Sequence, residues 1–358
     1  MLSAENLGGV LLNAQHNFAW ATGGKTNGVN GSIENGACFL FFRADGRRFV
    51  LANNIEMPRV LAEEVSADEF EPVEFTWQEE KASGDLVIGK AKALLGENRN
   101  IGSDLFLHAD VRPIEGLIVR CRYELTAEEI ERFRKLGKDA GFALEKIFEI
   151  IKPGDAENTI ARKVKNALSF LGIESIVTLV GADDRIARFR HPVPTGNVWK
   201  KTLLIAVCAR RHGLVASLSR IACAGEIPDE LRAKTEACAH VFGRFLAAAT
   251  RGATGAEIYR AAAETYAEKG FGDELNRHHQ GGAAGYKSRD WVAHPKSAET
   301  VQNNQAFAWN PSITGTKTEE TVLVKTDGIE YLTVSHGFPK IEVKIDGQEF
   351  YAPGILKL

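Results

Sequence analysis

The fold of this chain is first indicated by the stretch ELTAEEIERFRKLGKDAGFALEKIFEIIKPGDAENTI, residues 124–160. Near its start, Thr126 and Glu129 have the spacing of a capping box, in which each side chain accepts a hydrogen bond from the other residue's backbone amide. Apolar side chains then recur at the helical period until a Pro-Gly pair interrupts them. The stretch therefore predicts a long amphipathic helix over 127–151 and a second helix over 157–171.

The chain is predicted to form two domains, because 358 residues exceed a single ordinary hydrophobic core. Residues 1–122 alternate strand-like and helix-like segments, with a hairpin at the turn Asp45-Gly46. This pattern predicts a small α/β domain. Residues 123–358 contain pairs of helices interleaved with antiparallel strands, which predicts a larger α+β domain.

The composition is typical of a globular protein, with 44% hydrophobic and 25% charged residues. A net charge of -3 gives no basic excess, so neither nucleic acid nor a membrane surface is predicted as a partner. We recognise neither a signal peptide nor a membrane-spanning run of about 18 apolar residues. The five cysteines are scattered without CxxC spacing, which indicates reduced thiols and predicts a cytoplasmic location.

Four further blocks follow the opening stretch in a fixed order. They are RHPVPTGNVWKKTLLIAVCARRHGLVASLSR (190–220), NRHHQGGAAGY (276–286), QAFAWNPSI (305–313) and TKTEETVLVKTDGIEYLT (316–333). In order and spacing, the five blocks resemble the motifs of the pita-bread family that includes creatinase, aminopeptidase P and prolidase. The resemblance implies an α+β pita-bread domain over 123–358, a smaller creatinase-type α/β domain over 1–122, and a homodimer.

The resemblance also implies a place for two divalent metal ions, which the family's enzymes hold with two Asp, one His and two Glu. Carried over position by position, these ligands fall on Ala206, Ser217, Gly282, Asn310 and Glu319. Glu319 is the one carboxylate among them, and alanine and glycine offer no donor atom. We therefore expect no cofactor. A divalent ion such as Mn, Co or Zn is expected only if the chain is a metallopeptidase with relocated ligands.

Two residues are predicted to be catalytic. His191 lies in a Pro-flanked loop that matches the family's substrate-side histidine loop, and an imidazole suits general acid/base catalysis near neutral pH. Glu319 is predicted to face the pocket and to hold a cationic group of the substrate. Judged without the resemblance, a lone loop histidine is more often a surface residue, and Glu319 could equally be a charge on an edge strand.

Four residues are predicted to bind substrate. His278 matches the first His of the family's H-x-x-G-H block, and Arg289 falls where the family has a second substrate-side His. An inward-pointing Arg289 is expected to bind a substrate carboxylate, and Asn310 offers an uncharged polar group. Neighbouring residues of a strand point to opposite faces, so at most one of His278 and His279 is expected to face the pocket.

Three functions remain open from the sequence. The first is a metal-independent, creatinase-like hydrolase of a C–N bond in a small polar substrate, with His191 as general acid/base and with positioning as the main source of rate. The second is a catalytically inactive peptidase homologue that acts as a binding or scaffold protein. The third is a metallopeptidase of the Xaa-Pro dipeptidase or aminopeptidase type. The expected partner is a small-molecule or short-peptide substrate.

Overall fold

The computed structural model describes residues 1–358, which divide by their contacts into an N-terminal unit, Met1–Arg122, and a C-terminal unit, Tyr123–Leu358. The strands of the N-terminal unit are β1 Gly9–Ala14, β2 Asn35–Arg43, β3 Arg48–Asn53, β4 Glu71–Phe75, β5 Ile101–Ser103 and β6 Val111–Pro113. Its helices are α1 Gln15–Ala21, α2 Met57–Arg59, α3 Trp77–Ala82, α4 Leu86–Ala93 and α5 Glu115–Ile118.

One sheet organises the N-terminal unit, with the strand order β4-β3-β2-β1-β5-β6. The predicted hairpin is confirmed: β2 and β3 pair antiparallel across the Asp45-Gly46 turn. Strand β1 pairs antiparallel with β2 and parallel with β5. Val10 belongs to one hydrophobic cluster and its neighbour Leu11 to another, as the alternation of side chains along a strand requires. Both faces of the sheet are therefore covered by apolar side chains.

The C-terminal unit contains five α-helices, a 3-10 helix at Gly272–Arg277 and thirteen strands. The helices are α6 Ala127–Ile150, α7 Glu157–Phe170, α8 Asp184–Arg188, α9 Asp229–Ala248 and α10 Gly255–Glu268. The strands are β7 Glu174–Ala182, β8 Thr202–Arg211, β9 Leu214–Cys223, β10 Gly281–Ala284, β11 Trp291–Val292, β12 Gln305–Trp309, β13 Ser312–Ile313, β14 Thr316–Lys317, β15 Glu320–Lys325, β16 Gly328–Tyr331, β17 Lys340–Ile345, β18 Gln348–Pro353 and β19 Ile355–Lys357.

Two larger sheets form the body of this unit, in the orders β19-β9-β8-β7 and β11-β10-β12-β15-β16. All their pairings are antiparallel except that of β19 with β9. Two smaller pairs, β13–β14 and β17–β18, complete the strands. The long helices and mostly antiparallel strands confirm the predicted α+β class.

Helix α6 forms where the opening stretch predicts it. The hydroxyl of Thr126 accepts a hydrogen bond from the Glu129 amide at 3.3 Å, and the Glu129 carboxylate accepts one from the Thr126 amide at 2.8 Å. The predicted capping box is thus confirmed. At Gly137 and Gly141, an added Cβ would lie 2.3 and 2.4 Å from backbone carbonyl oxygens of the segment after β16, so the helix needs glycine to approach it closely.

None of the helices combines the length and the apolarity that crossing a bilayer requires.

Candidate active site

A cavity of about 160 Å³ opens in the C-terminal unit. Strands β7 and β8 form an apolar wall, and the polar wall comes from the loop after α8, the ends of β10 and β12, and the segment from β14 to β15. Twelve residues line it: Val177, Leu179, His191, Ala206, Val207, Cys208, His279, Ser288, Arg289, Asn310, Lys317 and Glu319. The cavity therefore brings together five of the six predicted site residues, with His278 directly behind them.

Glu319 is the buried carboxylate of this cavity, with 4% of its surface exposed. It accepts hydrogen bonds from Ser219 Oγ at 2.6 Å, Lys317 Nζ at 2.8 Å and Arg289 Nη2 at 3.1 Å. Burial alone would raise the pKa of Glu319, but the charges of Lys317 and Arg289 lower it to about 2. The predicted role of Glu319, holding a cation of the substrate, is therefore taken by two cations of the chain itself.

Arg289 and Lys317, here called the cation pair, outnumber the single negative charge of Glu319. Arg289 Nη1 also donates to the Ser288 carbonyl oxygen at 2.5 Å, whereas its buried Nε has no partner. The buried Oδ1 of Asn310 has no partner either. The cavity thus offers a net positive charge to a ligand, and two buried polar atoms beside it have no partner within the chain.

Three imidazoles, here called the histidine cluster, meet beside the cavity: His191, His278 and His279. His191 Nε2 lies 3.0 Å from His278 Nε2, and the rings of His278 and His279 stack with centroids 4.4 Å apart. The two adjacent rings stack and do not point to opposite faces, and of the two only His279 lines the cavity. They follow the 3-10 helix Gly272–Arg277 and precede β10, so the alternation of a strand does not apply to them.

The histidine cluster is uncharged at neutral pH. Burial lowers the pKa of His278 to about 2, with the charge of Lys317 adding to the shift, and lowers the pKa of His279 to about 4, with Arg289 and Lys317 both adding to it. Burial and the charge of Lys317 also lower the pKa of His191. Each neutral imidazole therefore carries one lone pair that can accept a hydrogen bond or bind a metal ion.

Lys317 and Cys208 are cavity residues that the sequence analysis missed. Lys317 lies two positions before Glu319, a spacing that in extended chain places both side chains on one face, so strand alternation could have identified it. Cys208 faces Ser217 across the β8–β9 pair, and its Sγ accepts a hydrogen bond from Ser217 Oγ at 3.3 Å. No spacing motif marks this cysteine.

The five positions that correspond to the family's metal ligands do not fit two divalent ions. An added Cβ at Gly282 would lie 2.0 Å from the Trp291 carbonyl oxygen, so the backbone of β11 leaves no room for a histidine there. Ala206 has no donor atom. The one carboxylate, Glu319, is already neutralised by the cation pair. These positions give no basis for chemistry on two ions.

Residues 131–326 match the model of metallopeptidase family M24. The chain belongs to this family. Its M24 membership confirms the pita-bread resemblance, and solved structures of the same fold cover nearly the whole chain. The Xaa-Pro dipeptidase from Bacillus anthracis superposes with a TM-score of 0.78 at 18% identity, covering 100% of this chain and 97% of that one. The prolidase from Pyrococcus horikoshii OT3 gives a TM-score of 0.77 at 17% identity, covering 94% and 96%.

Curated relatives of this M24 member include two proteins called Xaa-Pro dipeptidase. The one from Lactobacillus helveticus is 26% identical over 269 residues, which cover 72% of this chain and 70% of that protein. The one from Pyrococcus furiosus is 25% identical over 234 residues, which cover 63% and 67%. The fold also matches the N-terminal domain of FACT complex subunit SPT16 from chickpea, with a TM-score of 0.70 at 12% identity, covering 94% of this chain and 92% of that one.

The expectation that the chain needs no cofactor is wrong for a member of a metallopeptidase family whose relatives are Xaa-Pro dipeptidases. It rested on the five inherited positions alone, and these do not exhaust the metal-binding side chains beside the cavity. The homodimer and the cytoplasmic location remain predictions.

Proposed function

We propose that this member of family M24 hydrolyses a C–N bond in a small, peptide-like substrate that carries a carboxylate. The observation that carries the proposal is the cation pair. Arg289 and Lys317 bring two positive charges to a cavity whose lining contains one carboxylate, Glu319. The histidine cluster adds no charge at neutral pH, so an anionic ligand balances what remains.

A substrate carboxylate matches the cation pair in geometry as well as in charge. The guanidinium of Arg289, which lines the cavity, is a planar fork whose spacing matches the two oxygens of a carboxylate. Hydrogen bonds between ionised groups are about twice as strong as those between neutral groups. Lys317 is 8% exposed, so its charge is poorly screened by water and favours a partner of opposite sign.

The remaining walls favour a substrate of dipeptide size. Asn310 adds an uncharged polar side chain to the lining, whose amide can hydrogen-bond an amine or amide of the substrate. Four apolar residues of β7 and β8 form a surface for an apolar ring or side chain: Val177, Leu179, Ala206 and Val207. A volume of about 160 Å³ is small beside the roughly 300–1,000 Å³ of pockets for drug-sized ligands. A dipeptide ending in proline has the ring, the carboxylate and the C–N bond that these walls accommodate.

The histidine cluster is where we place the scissile bond, because His191 and His279 line the same cavity as the cation pair. The sequence-based role of His191 as general acid/base stays a prediction. It requires a proton transfer to the leaving nitrogen, while water attacks the carbon.

The test compares paired substrates that differ only in the charge of the C-terminus. Dipeptides of the Xaa-Pro and Xaa-Ala type, N-acyl amino acids and guanidino acids are assayed beside their C-terminal amides, with Mn, Co or Zn supplied. We expect turnover of at least one free acid and a loss of about 100-fold in kcat/KM for its amide, since a charge-assisted contact is removed. Equal turnover of acid and amide would overturn the proposed substrate class.

Binding without turnover is the second candidate function. It is favoured by the loss of donor atoms at the inherited metal-ligand positions, of which Glu319 alone keeps a carboxylate. Calorimetry with the same acids separates the two candidates. Binding of the acids with no product from any of them, with or without added metal, would favour the non-catalytic candidate over the hydrolase.

A further inference from the structure

The histidine cluster has a geometry that its own hydrogen bonds do not explain. One ring nitrogen of each of His191, His278 and His279 lies within 4.8 Å of the other two. His191 Nε2 and His278 Nε2 face each other at 3.0 Å. Two neutral imidazoles can share one proton across such a contact, and the third ring gains no partner from it.

The contact with His191 does not satisfy both ring nitrogens of His278. Its Nδ1 is buried and has no hydrogen-bond partner. If His278 Nε2 donates to His191, Nδ1 is an unpaired acceptor, and if Nε2 accepts, Nδ1 carries an unpaired N–H. Either tautomer leaves a buried polar atom unsatisfied, so a hydrogen bond between the two rings does not account for their placement.

An ion pair and hydrogen bonds between chain segments hold the rings together. Arg190, next to His191, forms an ion pair with Glu274 of the 3-10 helix that leads to His278. Glu274 also accepts from Thr314 Oγ1 at 2.8 and 3.0 Å. The carbonyl oxygen of His278 accepts from Gln280 Nε2 at 2.6 Å. The loop and the helix that carry the three rings are therefore fixed before any ligand binds.

We propose that His191, His278 and His279 bind one divalent transition-metal ion, with zinc as the best chemical match. Three neutral imidazoles are a ligand set that zinc and related ions favour, whereas magnesium and calcium require oxygen. Two nitrogens at about 2.0–2.1 Å from one tetrahedral zinc lie roughly 3.3 Å apart, close to the separation of the two Nε2 atoms. The site is separate from the five positions that correspond to the family's ligands.

A site of three histidines leaves a coordination position open. His191 and His279 are exposed on the cavity side, so solvent and ligand can both reach the ion. An ion bound in this way supplies Lewis-acid chemistry and lowers the pKa of water, and His191 would then be a ligand in place of a free acid/base. The inference goes beyond the proposed function, because the ion binds whether or not a C–N bond is cleaved.

Metal binding to the full chain tests the proposal without any activity assay. Cobalt(II) is titrated into metal-free protein and followed by its visible absorption, and zinc affinity is obtained by competition with the bound cobalt. We expect one ion per chain with the intense absorption of a tetrahedral cobalt site. His191→Ala, His278→Ala and His279→Ala should each weaken binding by about 100-fold, since even outer-sphere partners are worth roughly 10–100-fold.

The matched control is His108→Ala. His108 is a half-buried histidine beside Asp85 and Asp110, at 3.3 and 3.9 Å, and so offers an adventitious place for an ion. Its loss should leave the affinity unchanged. Absence of a one-to-one ion, or equal affinity in wild type and all three cluster variants, would overturn the proposal. His→Gln variants at the same positions, with circular dichroism of each, separate loss of the ion from loss of the fold.

Discussion

Two buried glutamates of the C-terminal unit, Glu157 and Glu319, carry the same charge and have opposite surroundings. Glu157, at the start of α7, accepts hydrogen bonds from the backbone amides of Ala182 and Thr195 at 2.9 and 3.0 Å. It also accepts from the Thr195 hydroxyl at 2.8 Å and is paired with one cation, Arg185. The charge of Glu157 is balanced by that of Arg185, and the other hydrogen bonds to the carboxylate come from neutral donors.

Glu319 meets two cations and a single hydroxyl. Arg289 and Lys317 both pair with its carboxylate, and Ser219 Oγ donates the remaining hydrogen bond. All but Ser219 line the cavity. One positive charge beside Glu319 is therefore unbalanced and faces the cavity. The charges of Glu157 and Arg185, in contrast, balance each other.

The difference separates a scaffold from a recognition site. The contacts of Glu157 join the end of β7, helix α8 and the loop after His191, so its charge is used to fix backbone. The contacts of Glu319 instead hold two cationic side chains in a cavity, where they remain able to bind an anion. A buried carboxylate by itself indicates neither role, and the balance of charge around it distinguishes them.

The largest effect is expected from Glu157→Gln. The substitution leaves Arg185 half-buried without its counter-charge and weakens the hydrogen bonds to Thr195, so we expect the free energy of unfolding to fall by about 3 kcal/mol. Urea unfolding followed by circular dichroism measures the change. Glu174→Gln is the control, because Glu174 forms an exposed pair with Arg210 and should cost less than about 1 kcal/mol. Equal losses in both variants would remove the scaffold role of Glu157.

Arg289→Gln should give the next effect, on ligand binding more than on stability. In this variant Glu319 keeps Lys317 as its counter-ion, whereas a bound carboxylate loses its hydrogen bonds to the Arg289 guanidinium. We expect the Kd of a carboxylate ligand such as L-proline to rise about 30-fold, which corresponds to about 2 kcal/mol. Titration calorimetry measures it, with Arg210→Gln as the surface control. An unchanged Kd in Arg289→Gln would show that the cation pair serves the fold alone.

The fold was predictable wherever local chemistry and tertiary structure agree. The capping box of Thr126 and Glu129 and the periodicity that follows it define the start of α6, and both depend only on residues within a few turns. The hairpin of β2 and β3 is likewise determined by its turn. These elements needed no knowledge of distant partners.

The sequence predicted most of the residues of the site but not the contacts that they make with one another. The resemblance placed His191, Arg289 and Asn310 at one pocket, and all three line the cavity. The stacking of His278 on His279 was missed because a strand was assumed where a 3-10 helix ends. The pairing of Glu319 with Arg289 was missed because Arg289 approaches it from a different segment, which no local pattern encodes, whereas Lys317 lies only two positions away and was overlooked.

The smallest effect is the pH dependence of the contribution that Glu157 makes to the free energy of unfolding. Burial alone would raise the pKa of Glu157, but Arg185 and Thr195 lower it below the ordinary 4.5. With a lowered pKa in the folded state, the unfolded chain binds the proton more readily, so stability from Glu157 is present above about pH 4.5 and is lost as the pH falls. The difference in unfolding free energy between wild type and Glu157→Gln should therefore be widest near pH 7 and narrow below about pH 5.

Urea unfolding of both proteins across this range measures this difference, and the effects of the other carboxylates cancel because both proteins contain them. A difference independent of pH would mean that Glu157 acts through the shape of its contacts and not through its charge, and its contrast with Glu319 would no longer be electrostatic.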